Sequence, residues 1–476
     1  MKTELVSFSI PAGAAVVSIV ALGHWLMSPS RIVPLERRVP VSQPAGANLL
    51  PVVDFKGFFE AGPGKPEPVA MHPNPDPPAG WPMFRGAKLD NISTEPVKLT
   101  RNLKSPPARV WEVSTGEGYA GPAIVDGRLY FLDYDEKVEA DVLRCLSTAN
   151  GQEIWRRGYK IEIGRNHGIS RTVCGVADGV VVSIGPMCQV MALDARSGEF
   201  KWGIDLCREY GATTPDWYAG QNVLLDEGKA ILAPGGSALL MAVELKTGKV
   251  VWKTPNPKHW DMTHSSVVPV MFGGQKMYIY CASKGVVGVW EVDGSLAFEF
   301  TGWRVSMANV PTPVPLPDDR LFLTGGYGAG AMMIQLVNNG GMVAVKPLFS
   351  LPPEVFGSEQ QTPIFYKGFL YGVIPVRAEL VCLGLDGKPR WASGGKYKFG
   401  AGPYLVADGC MLLMNDTGTL TMVELDSAAF KPVGQARIFD HGHDAWGPMA
   451  VVQGRLFARD MTRLACFDLR EKGDGQ

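Results

Sequence analysis

A repeated alternation of apolar and polar residues runs through most of this chain. In the stretch VMALDARSGEFKW, from Val190 to Trp202, four apolar residues lead into a polar turn that ends at Gly198. After the turn, Phe200 and Trp202 alternate with polar residues, so we expect one face of the second strand to be buried. Glycine supplies the positive φ that a tight turn requires. The stretch therefore predicts a β-hairpin.

Five copies of this hairpin share one spacing, in which an aromatic residue lies four positions after a glycine. The first four glycines follow one another at intervals of 46 to 50 residues, and the fifth follows after 93, which is close to two intervals. We therefore expect a weakened copy at Asn338–Gly341. A period of about 45 residues with only β signals is typical of a propeller or a solenoid. The five pairs are Gly151 and Trp155, Gly198 and Trp202, Gly248 and Trp252, Gly294 and Phe298, and Gly387 and Trp391.

Each hairpin is preceded by two further apolar strands, so that one unit contains four strands. Eight such units are present, and the eighth ends after Leu464 to Arg470 without an outermost strand. Ala108 to Val113 is a strand with no hairpin partner, and pairing it with the last unit closes a ring without an open edge. The sequence thus predicts an all-β, eight-bladed β-propeller of four-stranded antiparallel blades. The units begin at Ala120, Val176, Val223, Val267, Thr312, Thr362, Tyr404 and Pro448.

The N-terminal region precedes these repeats and has a different character. An apolar run from Val6 to Met27 is long enough to span a bilayer, at about 20 residues per span. It predicts an N-terminal hydrophobic helix, either a retained anchor, which its length favours, or a secretory signal cleaved near Ala21–Gly23. We therefore expect three parts: the anchor or signal (1–28), a Pro/Gly-rich tether (29–82) and the propeller (83–473). The propeller is then exported, in the periplasm or cell envelope.

Composition and cysteine usage limit the classes of function. The chain has 476 residues, 46% of them hydrophobic, and a formal net charge of −1, which provides a large core and no bulk attraction to nucleic acid. Its eight cysteines form no CxxC or CxxCH motif and mostly lie in strand-like apolar runs, so we expect buried thiols. A single disulfide among Cys174, Cys188 and Cys207 remains open. The oligomeric state is not indicated.

The motif WPMFRG, from Trp81 to Gly86, precedes the set of G-x-x-x-W hairpins. Together they resemble the bacterial exported PQQ-binding-like β-propeller repeat proteins, which include quinoprotein dehydrogenases and outer-membrane assembly lipoproteins. The resemblance covers roughly Trp81 to Arg470. It implies either a binding or scaffolding module, with a small polar ligand or an envelope protein as partner, or an alcohol-dehydrogenase-type oxidoreductase that holds pyrroloquinoline quinone (PQQ) over calcium. The sequence lacks the adjacent cysteines of many such enzymes and has no cysteine before Cys145, and binding is the favoured interpretation.

Aromatic residues at a fixed place in each blade are expected to pack between blades, which assigns Trp155, Trp202, Trp252 and Trp391 to structure. Ligand-binding residues are instead expected in the loops that join one blade to the next, because these loops surround the central channel on one face. The predicted ligand-binding mouth comprises Arg165, His167, Arg171, Trp217, Tyr218, Trp260, His264, Asn309, Gln361 and Trp446.

One loop, from Asp440 to Trp446, carries two histidines and two carboxylates. Imidazole and carboxylate groups suit zinc, copper or iron, so a metal site is one hypothesis, which His167 and His264 could complete, and a solvated turn is the other. No cofactor is certain; PQQ with calcium belongs to the enzyme hypothesis, with Asp216, Asp261 or Asp444 as base and Trp217, Trp260 or Trp446 as a stacking platform. The metal candidates are Asp440, His441, His443 and Asp444.

Overall fold

The structure, a computed structural model, describes residues 59–60 and 80–471, all of them within the compact unit Leu49–Gln476. The predicted hydrophobic helix and most of the predicted tether lie outside the described residues. Among the residues that are described, no helix has both the length and the apolar character needed to cross a membrane. Three strands precede the blades: β1 (Phe59–Glu60), β2 (Gly80–Trp81) and β3 (Ala108–Ser114).

Eight antiparallel sheets follow one another along the chain and form an eight-bladed propeller, as the repeats predict. In each blade the chain runs from the innermost to the outer strands. The first four blades comprise β4 (Ala123–Val125), β5 (Arg128–Asp135), β6 (Ala140–Ser147) and β7 (Glu153–Lys160); β8 (Gly175–Ala177), β9 (Val180–Ile184), β10 (Gln189–Asp194) and β11 (Phe200–Asp205); β12 (Leu224–Asp226), β13 (Lys229–Leu232), β14 (Ala238–Glu244) and β15 (Val250–Pro255); and β16 (Val268–Phe272), β17 (Gln275–Ala282), β18 (Gly285–Trp290) and β19 (Leu296–Phe300).

The remaining blades repeat this order, and the chain adds one short helix, α1 (Leu206–Tyr210), after β11. Asp205 caps α1 by accepting a hydrogen bond from the Arg208 amide, and Gly211 ends it in the left-handed conformation at φ 66°. Blades 5 to 8 comprise β20 (Val314–Leu316), β21 (Arg320–Gly325), β22 (Gly330–Asn339) and β23 (Met342–Leu351); β24 (Ile364–Tyr366), β25 (Phe369–Ile374), β26 (Glu379–Gly384) and β27 (Pro389–Ala392); β28 (Tyr404–Ala407), β29 (Cys410–Met414), β30 (Thr419–Glu424) and β31 (Lys431–Arg437); and β32 (Ala450–Val452), β33 (Arg455–Arg459) and β34 (Arg463–Asp468).

Burial differs between the middle and outer strands of a blade. All eight residues of β6 and all six of β26 are buried, whereas β15 alternates between exposed and buried positions over its last four residues. Blades stack face to face, so a middle strand meets apolar neighbours on both faces, and an outer strand has one face in solvent. This is why the middle strands read as continuous apolar runs in the sequence.

The ring closes through β3, as the unpaired strands at the two ends of the repeats predict. This strand pairs antiparallel with β34, from Ala108 opposite Asp468 to Ser114 opposite Arg463, and so completes blade 8. Blade 1 differs from the expected four strands, because β1 pairs with its outer strand β7 and β2 pairs with its innermost strand β4. Backbone groups at both edges of that blade therefore gain partners.

The repeated glycine and tryptophan of the hairpins contact each other across neighbouring blades. The Trp202 indole of blade 2 donates to the Leu245 carbonyl of blade 3 at 2.8 Å and packs over Gly248. A Cβ at Gly248 would approach Trp202 within 2.7 Å, and its φ of +71° also favours glycine. The predicted packing role of the tryptophans is confirmed. The same indole-to-carbonyl bond joins Trp111 to Thr148, Trp155 to Ala195, Trp252 to Glu291 and Trp391 to Asp426.

The expected weakened copy is the hairpin between β22 and β23, which turns at Gly340 and Gly341. Each of these strands has ten residues, so the hairpin is longer than its counterparts. Its aromatic residue is Phe349, which lies against Gly387, the hairpin glycine of blade 6. A Cβ atom at Gly387 would lie 3.0 Å from the Phe349 ring. The contact between blades is thus kept, although the longer strands remove the four-residue spacing.

Replacing Asp141 by asparagine should remove a pH-dependent loss of stability. Asp141 lies in β6 with no solvent exposure, and it accepts a hydrogen bond from the Tyr159 hydroxyl at 2.7 Å while its Oδ1 has no partner. Burial raises the pKa of Asp141 from the ordinary range of an aspartate to about 7. Because the unfolded chain loses this proton first, the free energy of unfolding should fall as pH rises through that window and then level off.

Urea denaturation at pH 4 and pH 8 measures this effect. At pH 8 we expect the free energy of unfolding of Asp141→Asn to exceed that of the wild type by at most about 4 kcal/mol, at about 1.4 kcal/mol per pKa unit. At pH 4 the two free energies should differ little. Asp178→Asn, on an exposed turn, is the matched control and should change stability equally at both pH values. A difference between Asp141→Asn and the wild type that is the same at pH 4 and pH 8 would contradict the assignment.

Candidate functional site

The loops between blades are held together by hydrogen bonds that pass from one blade to the next. The Val173 amide donates to Asn222 Oδ1 at 2.6 Å, and the Asn222 amide donates in turn to Ser266 Oγ at 3.0 Å. Further round the ring, the Thr312 amide donates to Thr362 Oγ1 at 2.9 Å. These side chains follow the outer strands and precede the innermost ones, so they fix the loops at one end of the channel.

Arg171 lies within this ring of loops, between β7 and β8. Its guanidinium carbon is 5.1 Å from the centre of the Tyr119 ring, which itself stacks on Trp446 at 5.2 Å and 28°. Tyr218 and Tyr327 also contribute to the electrostatic environment of the same guanidinium. His264 lies beside Arg171 as well. These side chains come from five connections between blades and, for Tyr327, from a turn within blade 5. We call Tyr119, Arg171, Tyr218, His264, Tyr327 and Trp446 the mouth cluster.

The position of Arg171 depends on pairing between two loops. The Tyr119 and Ala120 amides both donate to the Ser170 carbonyl, at 2.7 and 3.0 Å. This pairing places the Tyr119 ring and the Arg171 side chain next to each other. The loop that follows β7 is therefore joined to the segment between β3 and β4.

The Arg171 cation has few polar partners. One terminal nitrogen donates to the Asn166 carbonyl at 3.2 Å, while Nε is buried and has no hydrogen-bond partner. Across residues 80–471, Arg171 forms no ion pair with a carboxylate. Burial lowers the pKa of Arg171 to about 10, so the side chain stays cationic at neutral pH. A buried cation without a counter-ion is energetically costly.

His264 is a neutral neighbour of Arg171. Burial and the positive charge of Arg171 lower the pKa of His264 to about 4, although the backbone carbonyls of Asp216 and Tyr218 favour its protonated form. His264 therefore carries no charge near pH 7 and leaves Arg171 as the cationic member of the mouth cluster. Burial raises the pKa values of the three tyrosines, Tyr119, Tyr218 and Tyr327, so their hydroxyls remain protonated.

Residues 80–103, which we call the channel segment, first cross the central channel (80–93) and then pass along blade 7, where Leu99 contacts Asp408 and Leu103 lies beside Gly434 of the outer strand β31. It begins at β2, beside the innermost strand of blade 1, and the Pro82 carbonyl accepts a hydrogen bond from Val176 of blade 2. On the other side of the ring, Ser93 donates to the Val406 carbonyl of blade 7 at 2.8 Å. The segment thus contacts innermost strands around the ring and obstructs the channel beneath the mouth cluster.

Arg85 anchors the channel segment from within. Its guanidinium donates to the Leu89 carbonyl at 2.8 Å and to the carbonyls of Thr362 and Pro363 at 3.0 and 3.3 Å. Only 4% of Arg85 is exposed, and burial lowers its pKa to about 10. A small cavity beside it is lined by Phe84, Arg85, Leu89, Asn222, Val223, Leu224, Ser266, Val267, Val268 and Thr312.

Several predicted mouth residues lie in the expected loops. Gln361 donates to the carbonyls of Ala401 and Trp446 at 3.3 and 3.1 Å, so it joins three loops. Asn309 is 6% exposed, and its Oδ1 has no hydrogen-bond partner. Arg165 is exposed and bound to Glu117 through two bonds of 2.7 Å. His167 is exposed and Trp217 is half-buried, both at positive φ.

Trp260 is placed differently from the expectation that it faces a ligand. It is 2% exposed and packs in the core of blades 2 to 4, where its amide donates to Asn256 Oδ1. The predicted bases are dispersed as well: Asp216 and Asp261 are exposed, and Asp444 is half-buried beside His443 at 3.6 Å. The structure therefore does not bring the three carboxylates together as one site.

The metal hypothesis for the loop after β31 finds no geometric support. In the part of the chain that the structure describes, no group of three or more His, Cys, Asp or Glu side chains is placed to hold a metal ion. Asp440, His441 and His443 are exposed, and the Asp440 carbonyl accepts a hydrogen bond from Arg463. Because alternate residues of this irregular loop point to solvent, their closeness in sequence does not produce a common ligand set.

Tyr119 and Tyr327 belong to the mouth cluster, but the sequence did not single them out. Tyr119 follows the closing strand β3, and Tyr327 lies in the turn between β21 and β22 within the glycine-rich stretch Gly325–Gly330. Turns between the second and third strands of a blade reach the same face as the loops between blades. The aromatic residue inside this turn was the sequence signal that could have identified Tyr327 as a member of the site.

Comparisons with known proteins agree with this architecture. Residues 138–340 match the family model described as PQQ_2, outer membrane protein assembly factor BamB. No curated protein matches the chain. Among solved structures, BamB from Moraxella catarrhalis aligns at 13% identity with a TM-score of 0.53, over 76% of this chain and 99% of that chain. Quinohemoprotein alcohol dehydrogenase from Comamonas testosteroni aligns at 12% identity with a TM-score of 0.57, over 84% of this chain and 82% of that chain.

At these identities the solved structures establish the fold alone. The family match adds sequence support across blades 1 to 5, which is the part of the chain where the hairpin repeats are most regular. The predicted resemblance is thus confirmed: the chain is an eight-bladed propeller similar to BamB and the quinoprotein dehydrogenases, with a PQQ-like repeat match over residues 138–340.

Proposed function

We propose that this chain is a binding module whose mouth cluster takes a small anion that carries a carboxylate or a phosphate group. The observation that carries the proposal is Arg171, a half-buried cation with no carboxylate partner among the described residues and with a buried, unpartnered Nε. Arginine matches carboxylate and phosphate groups through parallel N–H donors, and such bonds are stronger than neutral ones.

The surroundings of Arg171 favour an anion over other ligands. Tyr327 is a protonated donor near the same guanidinium, whereas the Tyr218 hydroxyl already donates to the Gly164 carbonyl. His264 is neutral and so adds no competing charge. Low local polarity strengthens the attraction between a buried cation and an anion. A bound anion would also supply the counter-charge that the protein itself does not provide.

The channel segment supports a binding role rather than passage through the ring. With residues 80–93 in the channel, the mouth cluster is the upper part of a closed cup. Thr362, whose carbonyl binds Arg85, directly follows Gln361 of the predicted mouth. A small ligand would therefore be held between the mouth cluster and the floor that the channel segment provides.

The second hypothesis, a PQQ-dependent oxidoreductase, has less support from the residues present. The calcium ion of such an enzyme requires six to eight oxygen ligands, and the described residues contain no acidic cluster. One face of the Trp446 indole is already covered by Tyr119, and Trp260 is buried in the core. These side chains do not fit the quinone and its calcium, so we derive no catalytic step from them.

Titration with inorganic phosphate and with citrate, followed by calorimetry, tests the proposed anion site. We expect at least one of these probes to bind the wild type, and Arg171→Met to weaken that binding at least about thirtyfold, because removing one member of a buried charge pair costs about 2–5 kcal/mol. Arg165→Met is the matched control, since Arg165 is exposed and paired with Glu117, and it should change affinity less than twofold.

Two results would overturn the anion proposal: no binding of either probe to the wild type, or equal losses in Arg171→Met and Arg165→Met. Incubation with PQQ and calcium addresses the second hypothesis separately. An absorbance spectrum that equals the sum of protein and free quinone counts against an oxidoreductase. A quinone spectrum shifted by the protein would favour it.

We also propose that the propeller is exported to the cell envelope, with the division into an anchor or signal (1–28), a tether (29–82) and a propeller (83–473). The apolar run from Val6 to Met27 supports this proposal. The matched family is described as an outer membrane protein assembly factor, which makes an envelope protein the alternative partner to a small ligand. Recovery of the tagged chain in the cytosolic fraction alone would contradict export.

A further inference from the structure

Three sulfur atoms meet beside blade 2, in loops that also carry Tyr218 and His264 of the mouth cluster. The Cys188 Sγ lies 3.8 Å from the Met262 Sδ and 3.9 Å from Thr214 Oγ1. The Cys207 Sγ lies 3.5 Å from the same Thr214 oxygen, and the Cys188 and Cys207 side chains interact with each other. Two thiols and one thioether therefore share one small volume.

Three separate parts of the fold bring these side chains together. Cys188 directly precedes β10, Cys207 lies in the helix α1 that follows β11, and Met262 lies in the loop between β15 and β16. The pairing of Gln189 with Asp205 places the end of β11 beside the start of β10, and the Leu206 amide donates to the Cys188 carbonyl at 3.2 Å. The cluster is therefore set by strand register and blade stacking rather than by a local sequence motif.

Burial of the three sulfurs is uneven. Cys188 and Met262 are 0% and 4% exposed, whereas Cys207 is half-buried. A small ion would therefore reach the cluster from the side of Cys207 and meet the two buried sulfurs behind it. The other six cysteines are buried free thiols, as the sequence predicts.

We propose that Cys188, Cys207 and Met262 form a binding site for a soft monovalent cation, Cu(I). Thiolate and thioether sulfurs are the ligands that select Cu(I) over harder ions. With metal–sulfur bonds of about 2.3 Å, the sulfurs of a trigonal site lie about 4 Å apart, which the 3.8 Å between Cys188 and Met262 matches. The cluster thus has the ligand types of a three-coordinate site, and the Cys188–Met262 pair has the spacing of one.

Zinc fits this cluster less well. Structural zinc sites use four ligands drawn from cysteine, histidine and carboxylate groups. Within residues 80–471, no third His, Cys, Asp or Glu side chain joins Cys188 and Cys207 as part of such a group. The third sulfur comes instead from a methionine, which is characteristic of copper ligation.

Binding of Cu(I) to the three sulfurs involves proton release but no change in oxidation state. Each thiol releases its proton to solvent when its sulfur bonds to Cu(I), and Met262 contributes a lone pair. Two protons leave for each Cu(I) bound, and no electron is transferred.

Anaerobic titration of the reduced full-length chain with Cu(I), in competition with a chromophoric Cu(I) chelator, tests the site. We expect one equivalent to bind, and Cys207→Ser and Met262→Leu each to weaken binding at least tenfold. Leucine retains the size and apolar character of methionine, so Met262→Leu removes the sulfur with little change in packing. Cys410→Ala, a buried thiol of blade 7, is the matched control and should leave the affinity unchanged.

Circular dichroism of each variant establishes that the propeller is folded before the titration. The proposal is overturned if the reduced wild type does not compete with the chelator for Cu(I). Equal losses in Met262→Leu and Cys410→Ala would overturn it too. So would a Cys188–Cys207 disulfide, found by mass mapping of alkylated protein, that persists under the reducing conditions of the titration. This inference does not rest on the anion site, because Arg171 takes no part in it.

Discussion

Replacing Arg459 by methionine should lower the free energy of unfolding by about 3–5 kcal/mol, the usual cost of breaking a buried hydrogen-bonded charge network. Arg459 is 1% exposed and lies at the end of β33. Its guanidinium donates to Thr115 Oγ1 at 3.0 Å and to the Gly116 and Ala120 carbonyls at 3.1 and 3.2 Å. These acceptors follow β3, so one side chain joins the closing blade to the entry of blade 1.

The loss of stability arises because Arg459→Met leaves hydrogen-bond acceptors buried and without a donor. Arg459 also donates to the carbonyls of Asp460 and Met461 at 3.1 Å, and methionine can satisfy none of these oxygens. Urea denaturation with two spectroscopic probes measures the change. Arg470→Met is the matched control, because Arg470 is exposed and forms a surface pair with Asp468, which is worth about 1 kcal/mol or less. Similar losses in the two variants would contradict a role for Arg459 in ring closure.

Replacing Arg85 by methionine should release the channel segment, at a cost of about 3 kcal/mol. Arg85 ties Leu89 within the segment to Thr362 and Pro363 of blade 6, across the ring from β2. Without these bonds, two blade carbonyls lose their partner and the middle of the segment loses its anchor. Hydrogen–deuterium exchange should then increase in residues 80–103 more than in the blade strands.

Lys88→Met provides the matched control for the channel segment, because Lys88 is exposed and only three residues away. Its exchange pattern should equal that of the wild type. If Arg85→Met leaves exchange in residues 80–103 unchanged, the other contacts of the segment hold it without Arg85, and the assigned role of Arg85 is wrong. An increase spread evenly over all blades would likewise contradict a local release.

The regular parts of the fold could be read from the sequence because each is a local pattern. The glycine and the aromatic residue four positions later mark one hairpin, and their repetition gives the number of blades. The structure explains why both residues are needed: Trp202 covers Gly248, where a side chain would collide with the indole. A contact between identical positions of adjacent repeats must recur with the period of the repeat. The same logic predicts closure by β3.

The candidate site could be predicted only in outline. Its loops were expected on one face, and Arg171, Tyr218, His264 and Trp446 are indeed within the mouth cluster. Trp260 lies in an expected loop but turns into the core. Loop conformation depends on contacts with other blades, so no spacing rule distinguishes an inward from an outward side chain.

By itself, the sequence determined that this protein is an eight-bladed propeller with tryptophans between its blades, because neighbouring repeats interact through residues at a constant spacing. Only the tertiary structure decided that residues 80–93 occupy the channel, that Arg171 meets tyrosines from distant blades, and that three sulfurs converge beside blade 2. Arg85 and Thr362 are 277 residues apart in the chain. Contacts of this kind have no period, and they exist only once the ring has closed.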